Sequence, residues 1–214
     1  MKQTRRAVLA GLSAAGVVGA AGCLGDDTPD VPEYDCDAES ESPDLEYRPI
    51  LGDPDSDVVV QVFEDFTCGV CADFKLDEFP AVREAHIDTE EVRYEHWDFP
   101  IPVDEDWAVP VASAARGVGA REGDEAFFAF TGEAYEFHGS YTLDAIGYAA
   151  EEAGADPCAA IADAEDRSYE PALLSDREEG VSIGVQGTPT VFVNGEVVNS
   201  NAEAIADAVE AARS

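Results

Sequence analysis

The feature that most restricts how this chain can fold is an apolar strand that runs directly into a pair of cysteines. The strand, Val58-Val59-Val60-Gln61-Val62-Phe63, is rich in β-branched residues, as is typical of a strand buried inside a sheet. A short turn leads from it to Cys68-Gly69-Val70-Cys71, and apolar residues at helical spacing follow. The pattern predicts strand, turn and helix in that order, with a kink at Pro80.

The middle of the chain predicts a second strand followed by a block of helices. Residues 92–97 alternate in polarity, and residues from about 106 to 184 show Ala-rich helical patterns without strand character. Asp156-Pro157 predicts an N-cap and a first helical position inside this block.

The C-terminal part returns to the sheet. Residues 190–193 predict a third strand, and Asn194-Gly195 predicts a two-residue hairpin turn that leads into a returning strand. Residues 201–213 predict a closing helix. The whole order is typical of an α/β sheet with a helical insertion.

The two cysteines predict redox chemistry. Cys68 is expected at the first turn of a helix, where free N–H groups and the helix dipole stabilise an anion. Cysteine pKa values there fall to roughly 3.5–7.5, from about 8.5 for a free thiol. Cys71, one turn later, could attack a mixed disulfide formed on Cys68. His86, His96 and His138 are widely separated, and each is predicted to be an ordinary surface or packing histidine. Two cysteines alone cannot complete a tetrahedral zinc site, so we expect no metal and no bound cofactor.

A second motif, Gly187-Thr188-Pro189, stands directly before the third predicted strand. Together with the strand–Cys-x-x-Cys–helix unit it resembles the DsbA-like branch of the thioredoxin superfamily, over about residues 50–212. The resemblance implies a thioredoxin-like fold with a helical insertion between the second and third core strands, and thiol:disulfide oxidoreductase activity. It also implies that Pro189 is a cis-proline beside the cysteines and that Thr188 binds the substrate chain.

Two features depart from many members of that family. Gly69 and Val70 stand between the cysteines, and neither can donate a side-chain hydrogen bond to a thiolate. Val62 stands where relatives often carry a buried acid. Glu64 or Asp65 could assist proton transfer instead, although each also fits a loop or capping acid.

The N-terminal residues predict an export signal followed by a lipid anchor. Residues 1–22 combine the paired Arg5-Arg6 with a short apolar run, like a twin-arginine export signal. Ala20-Ala21-Gly22-Cys23 is similar to a lipobox, which would make Cys23 the lipidated first residue, although an uncleaved membrane anchor is an alternative. Residues 23–46, rich in acids, Pro and Ser, predict a flexible spacer before a domain at 47–213.

Two further cysteines, Cys36 and Cys158, have no assigned role. Export would allow a structural disulfide between them, which would attach the spacer to the helical insertion. The alternative is a buried Cys158 with a free or intermolecular Cys36, because sequence does not supply the Cα separation.

The charge balance excludes one class of partner. The chain has 47 acidic and 12 basic side chains, for a net charge of −35, and its lysines are Lys2 and Lys75. Without a basic patch, nucleic-acid binding is excluded. Acids spread over the whole sequence resemble those of halophilic archaeal proteins, in which concentrated salt screens their repulsion.

The predicted function is thiol–disulfide exchange with exported proteins at the outer face of the cytoplasmic membrane. An unidentified redox partner would restore the cysteine pair after each exchange. The alternatives are a reductase or isomerase that runs the same chemistry in reverse, a copper(I) carrier that uses the two thiolates, and a binding module that kept the fold without the redox activity.

Overall fold

The structure is a computed structural model that describes residues 31–101 and 103–214. One mixed sheet of five strands lies at its centre, in the spatial order β1-β3-β2-β4-β5. β2 and β3 are parallel, and the other neighbouring pairs are antiparallel. In chain order the strands are β1 (Ile50–Gly52), β2 (Val59–Glu64), β3 (Arg93–Asp98), β4 (Thr190–Val193) and β5 (Glu196–Val198).

Helices cover the sheet, and five of them are consecutive between β3 and β4. These five form the predicted insertion, so the thioredoxin-like fold with a helical insertion is confirmed. The helices are α1 (Gly69–Asp73), α2 (Phe79–Val82), α3 (Ala108–Glu122), α4 (Asp124–Tyr135), α5 (Leu143–Glu152), α6 (Pro157–Asp166), α7 (Glu170–Ile183) and α8 (Ala202–Ala212).

The kink predicted at Pro80 takes the form of a change in helix type. A π-helical turn, Phe74–Glu78, separates α1 from α2, and a second, Arg83–Ile87, follows α2. Pro80 thereby lies in the first turn of α2, where a missing N–H costs no helical hydrogen bond.

Strand alternation divides the interior into two apolar clusters. Val60 and Val62 of β2 face the same side as Tyr94 of β3, and on that side they pack against the helical insertion. Phe63 points to the opposite side, where it packs with Phe99, Val185 and Phe192. Glu64, the last residue of β2, is on the same side of the sheet as Val60 and Val62, the side that faces the insertion.

One strand was not predicted. β1 has only three residues and pairs along the edge of β3, with Leu51 opposite Tyr94. Gly52 ends it with a φ of 78°, a left-handed conformation that favours glycine. A run this short gives no periodic signal in the sequence.

The segment before β1 is attached to the insertion. Residues 31–46 contain no helix or strand, yet Cys36 forms a disulfide with Cys158 across a Cα–Cα distance of 5.3 Å. The backbone N–H of Tyr34 also donates to Asp144, at 3.0 Å, and the Ser40 hydroxyl donates to Asp166, at 2.7 Å. The bridged alternative for Cys36 is therefore the one observed.

Within the described residues, none of the helices has both the length and the apolar character needed to cross a membrane. The predicted export signal at 1–22 and the predicted lipidation site at Cys23 lie outside those residues.

Candidate active site

Cys68 lies where the turn after β2 becomes the first helix. It is the N-cap of α1, with extended backbone angles (φ −87°, ψ 114°), and its carbonyl oxygen accepts the first helical hydrogen bonds from Cys71 and Ala72. This places its sulfur beside the N–H groups of the first turn, which have no helical partner. Only 8% of Cys68 is exposed.

The surroundings of Cys68 favour its thiolate. A hydrogen bond from the Cys71 side chain lowers the pKa of Cys68, and partial burial opposes it. The Thr188 side chain and the N–H groups of Cys71 and Val70 lower it further, so that the pKa of Cys68 falls from 9.0 to about 5. A thiol with this pKa is largely ionised at neutral pH, and the thiolate is the nucleophile in disulfide exchange.

Cys71 has the opposite character. It is completely buried, and burial, followed by its hydrogen bond to Cys68, raises the pKa of its thiol well above the ordinary value. The charge of Glu64 raises it further. The Cys68 sulfur is therefore set to attack, whereas the Cys71 sulfur keeps its proton until the reaction requires that proton to be released.

Thr188 and Pro189 close the site from the loop before β4. Their peptide bond is cis, and the Thr188 carbonyl oxygen lies 3.3 Å from the Cys68 sulfur. The structure thus brings together the four residues that the sequence predicted for the site.

The helical insertion fixes the turn that precedes Cys68. Three side chains of the insertion meet successive carbonyl oxygens of this turn, namely those of Asp65, Phe66 and Thr67. Tyr135 donates to the first at 3.4 Å, Tyr141 donates to the second at 2.8 Å, and Nε2 of His138 lies 3.1 Å from the third. Sequence reasoning treated His138 as an ordinary packing or surface histidine, and its partner is 71 positions away.

Asp65 and Glu64 differ in role. Asp65 accepts hydrogen bonds from Thr67 and from the N–H of Ile101, as expected of a loop acid, and burial raises its pKa. Glu64 is not in the loop: it ends β2, with only 2% of it exposed. Alternation from Val60 and Val62 was the signal that could have placed Glu64 inside.

A chain of buried charges leads away from Glu64. Its Oε2 lies 3.1 Å from Nδ1 of His96, and Nε2 of the same ring lies 3.2 Å from Asp98 Oδ1. Arg116 then donates from Nε to Asp98, at 2.6 Å, and also pairs with Asp176. His96 was expected to be an ordinary surface or packing histidine, but it lies between two carboxylates.

Within residues 31–101 and 103–214, no group of three or more His, Cys, Asp or Glu side chains has the arrangement of a metal site.

Comparison with known families agrees with this geometry. The family model described as Thioredoxin matches residues 44–211, which is most of the chain. This chain belongs to the thioredoxin family. The match spans both cysteines, the Thr188–Pro189 bond and the whole helical insertion.

Relatives of this thioredoxin-family chain are described as disulfide bond formation proteins. The probable disulfide bond formation protein D of Bacillus anthracis is 25% identical over 171 residues, covering 75% of this chain and 76% of that protein. The class predicted from the sequence, a DsbA-like thiol:disulfide oxidoreductase, is confirmed by the family and this relative.

Solved structures share the fold of the thioredoxin-family chain. Oxidised BdbD from Bacillus subtilis superposes with a TM-score of 0.69 at 23% identity, covering 82% of this chain and 98% of that one. DsbA from Chlamydia trachomatis gives a TM-score of 0.70 at 20% identity, covering 85% and 97%. Each superposition includes nearly all of the known chain and most of this one, so the insertion is part of the shared fold.

Proposed function

We propose that this chain forms disulfides in partner proteins by exchange through Cys68 and Cys71. The observation that carries the proposal is the contrast between the two sulfurs. Cys68 has a pKa of about 5 and lies against Thr188, whereas Cys71 is fully buried with a raised pKa. Stabilising the Cys68 thiolate favours the reduced pair, which makes the disulfide form the better oxidant.

The reaction begins from the Cys68–Cys71 disulfide. A partner thiolate attacks Cys68, a new sulfur–sulfur bond forms, and Cys71 leaves with the electron pair and takes a proton. A second thiolate of the partner then attacks the partner's own sulfur in the mixed disulfide and releases Cys68 as a thiolate. The partner loses two electrons and the pair gains them, so a separate oxidant, a disulfide or quinone of a redox partner, must restore the disulfide.

Thr188 is the proposed docking residue for the partner chain. Its carbonyl oxygen already lies beside the Cys68 sulfur, and β4, which begins two residues later, continues in the extended direction. A partner strand could therefore pair with this backbone while its cysteine meets Cys68.

We further infer that the work is done outside the cytoplasm. The support is the signal-like sequence of residues 1–22, the lipobox-like sequence that ends in Cys23, and the Cys36–Cys158 disulfide, a type of bond that persists in oxidising compartments. In this proposal residues 23–46 join the lipid anchor to the domain at 47–213. Mass spectrometry of the membrane-extracted protein tests it: an unmodified N-terminus at Met1 would contradict it.

The activity is tested with a reduced, unfolded protein as substrate. The wild-type chain should restore its disulfides, Cys68→Ser should lose the activity, and Cys71→Ser should accumulate a mixed disulfide with the substrate. The double variant Cys36→Ser/Cys158→Ser is the matched control, since it removes two cysteines outside the pair. A reduction potential near about −120 mV supports oxidation, and one near about −270 mV would overturn the oxidative direction in favour of a reductase.

A further inference from the structure

Lys75 is a charged residue in the interior of the domain. Only 4% of it is exposed, and it is the one lysine among the described residues. Burial lowers its pKa from 10.5 to about 8, so its amine still carries a proton at neutral pH. A buried charge is costly unless a group of opposite charge lies beside it, so this ammonium should have a partner.

The described part of the chain does not supply that partner. Among its basic side chains, Lys75 and Arg177 are the two that have no carboxylate oxygen within 4.0 Å. The charge of Glu64 raises the pKa of Lys75 from a greater distance, and the charge of Arg83 lowers it. The ammonium is therefore buried without an ion pair, in a chain that has an excess of acids.

Two aromatic rings lie against the ammonium of Lys75. Its Nζ is 3.9 Å from the ring centroid of Phe79 and 4.6 Å from that of Phe128. Contacts between a cation and the face of a ring offset part of the cost of burial, but they provide no negatively charged acceptor. All three residues also line one cleft, so the ammonium is reached from that cleft.

The cleft has the size and the lining of a small-molecule site. Its volume is about 530 Å³, and it lies between the first π-helical turn and α2 on one side and α4 and α5 on the other. Ligand sites typically have volumes of about 300–1,000 Å³ and combine apolar walls with a few polar groups. On α4, a Cβ at Gly132 would meet nothing within 4 Å, so the wall is open there. The other apolar and aromatic wall residues are Leu76, Pro80, Ala129, Phe137 and Tyr148.

Two acids give the outer part of the cleft the opposite charge. Glu133 and Glu136 line it, and Glu136 is exposed to solvent. Burial raises the pKa of Glu133, and the charges of Glu152 and Glu136 raise it further. Because these acids repel anions, a ligand would place its negative group at Lys75 and an uncharged group at the outer end.

We propose that this cleft binds a small monocarboxylate with an apolar body, whose carboxylate pairs with Lys75. The carboxylate would supply the missing charge, and the apolar body would cover the aromatic walls and leave water. The binding is non-covalent. It involves none of the four residues of the candidate active site, so the inference does not depend on the proposed function.

The test uses three probes with chains of the same length. Octanoate has one carboxylate, octanamide has none, and octanedioate has one at each end. Each is titrated into the full-length protein by isothermal titration calorimetry in molar potassium chloride, which screens the charges of the chain. Octanoate should bind at a single site. Octanamide should bind at least about 10-fold more weakly, because it cannot form the charge-assisted contact with Lys75.

The third probe tests the orientation of the ligand. The outer carboxylate of octanedioate would lie beside Glu133 and Glu136, so this probe should bind at least about threefold more weakly than octanoate. An octanedioate affinity equal to that of octanoate would overturn the orientation, with the carboxylate at the floor of the cleft and the apolar end outside.

Two variants separate the charge from the shape of the cleft. Lys75→Met keeps an apolar chain over the rings, and it should weaken octanoate by at least about 10-fold and remove its advantage over octanamide. Gly132→Leu keeps the charge but fills the cleft from α4, so it should weaken both probes. Arg177→Met is the matched control: Arg177 donates to the Pro100 carbonyl, at 3.0 Å, and does not line this cleft. Its octanoate affinity should stay within about twofold of wild type.

Three results would overturn the inference. They are the absence of octanoate binding up to about 10 mM, equal affinities for octanoate and octanamide, and a wild-type octanoate affinity in Lys75→Met. If Lys75→Met does not fold, Gly132→Leu decides, and an unchanged octanoate affinity in that variant would be equally contradictory. Disulfide exchange by the same wild-type sample is measured separately, so failure of the proposed function would be recognised on its own.

Discussion

The sulfur of Cys68 lies 3.3 Å from the backbone carbonyl oxygen of Thr188, although 120 positions separate the two residues in the chain. The contact joins the start of α1 to the loop before β4. It places the attacking sulfur beside the backbone that is proposed to pair with a partner, so under that proposal chemistry and docking occur at one place.

Thr188→Val should raise the pKa of Cys68 above about 5, because the Thr188 side chain is one of the groups that lower it. The measurement is the pH dependence of Cys68 alkylation by iodoacetamide in a Cys71→Ser background. Thr190→Val is the matched control, since the Thr190 hydroxyl donates to the Gly187 carbonyl, at 2.6 Å, instead. An unchanged midpoint in Thr188→Val would show that its hydroxyl does not act on the sulfur.

The reduced protein should become more stable as the pH rises. The pKa of Cys68 is lowered on folding, from 9.0 to about 5, so its contribution to the free energy of unfolding is fully present above about pH 9 and is lost as the pH falls through about 5. Urea unfolding of reduced protein across this range should show the rise. Cys68→Ala should lack it, and an equal rise in that variant would assign the effect to other groups.

Loss of the Cys36–Cys158 disulfide should destabilise the fold without removing exchange activity. The bond closes a loop across a sequence separation of 122, which contributes about 4–5 kcal/mol in the chain-entropy model. Urea unfolding of Cys36→Ser/Cys158→Ser, compared with oxidised wild type, measures the loss. A change below about 1 kcal/mol would mean that the contacts of Tyr34 and Ser40 hold the segment by themselves.

Two glycine substitutions should have opposite signs. A Cβ on Gly180 of α7 would lie 2.8 Å from Cδ2 of Phe99 and 2.9 Å from Cε1 of Phe63, so Gly180→Ala should destabilise by about 1–3 kcal/mol. A Cβ on Gly132 of α4 would meet nothing within 4 Å, so Gly132→Ala should stabilise by about 0.5–1 kcal/mol through helix propensity. Thermal unfolding of both variants checks the pair.

The folded domain should require salt. With a net charge of −35, self-repulsion is screened at molar ionic strength, where the Debye length is about 3 Å, and is weakly screened at millimolar salt. Far-UV circular dichroism during dialysis should show loss of helix, and restoring the salt should reverse it. A constant spectrum down to millimolar salt would contradict adaptation to concentrated salt.

Much of the fold was predictable, because local patterns determine it. The apolar run before Cys68 predicted β2, Asn194-Gly195 predicted the hairpin, and the side chain of Asp156 caps α6 as its position suggested. The four residues of the site were predictable from two short motifs: the cysteine pair from its own spacing, and Thr188 and Pro189 through the resemblance to a known family.

What escaped prediction depends on contacts between distant segments. β1 forms only because β3 offers an edge, and the buried positions of Glu64 and His96 become evident only once β2 and β3 are paired. His138 reaches the turn before Cys68 from the loop after α4, 71 positions further along the chain. The local sequence around a charged residue does not show that the residue is buried beside other charges, since each such residue resembles a surface residue in isolation.

The complete burial of Cys71 has a practical consequence for capturing complexes. Since an incoming protein can touch only Cys68 of the pair, every mixed disulfide that the pair forms should share a single point of attachment. Conjugates made with Cys71→Ser should therefore be uniform in linkage, which makes them suitable for crystallisation with whichever client is caught.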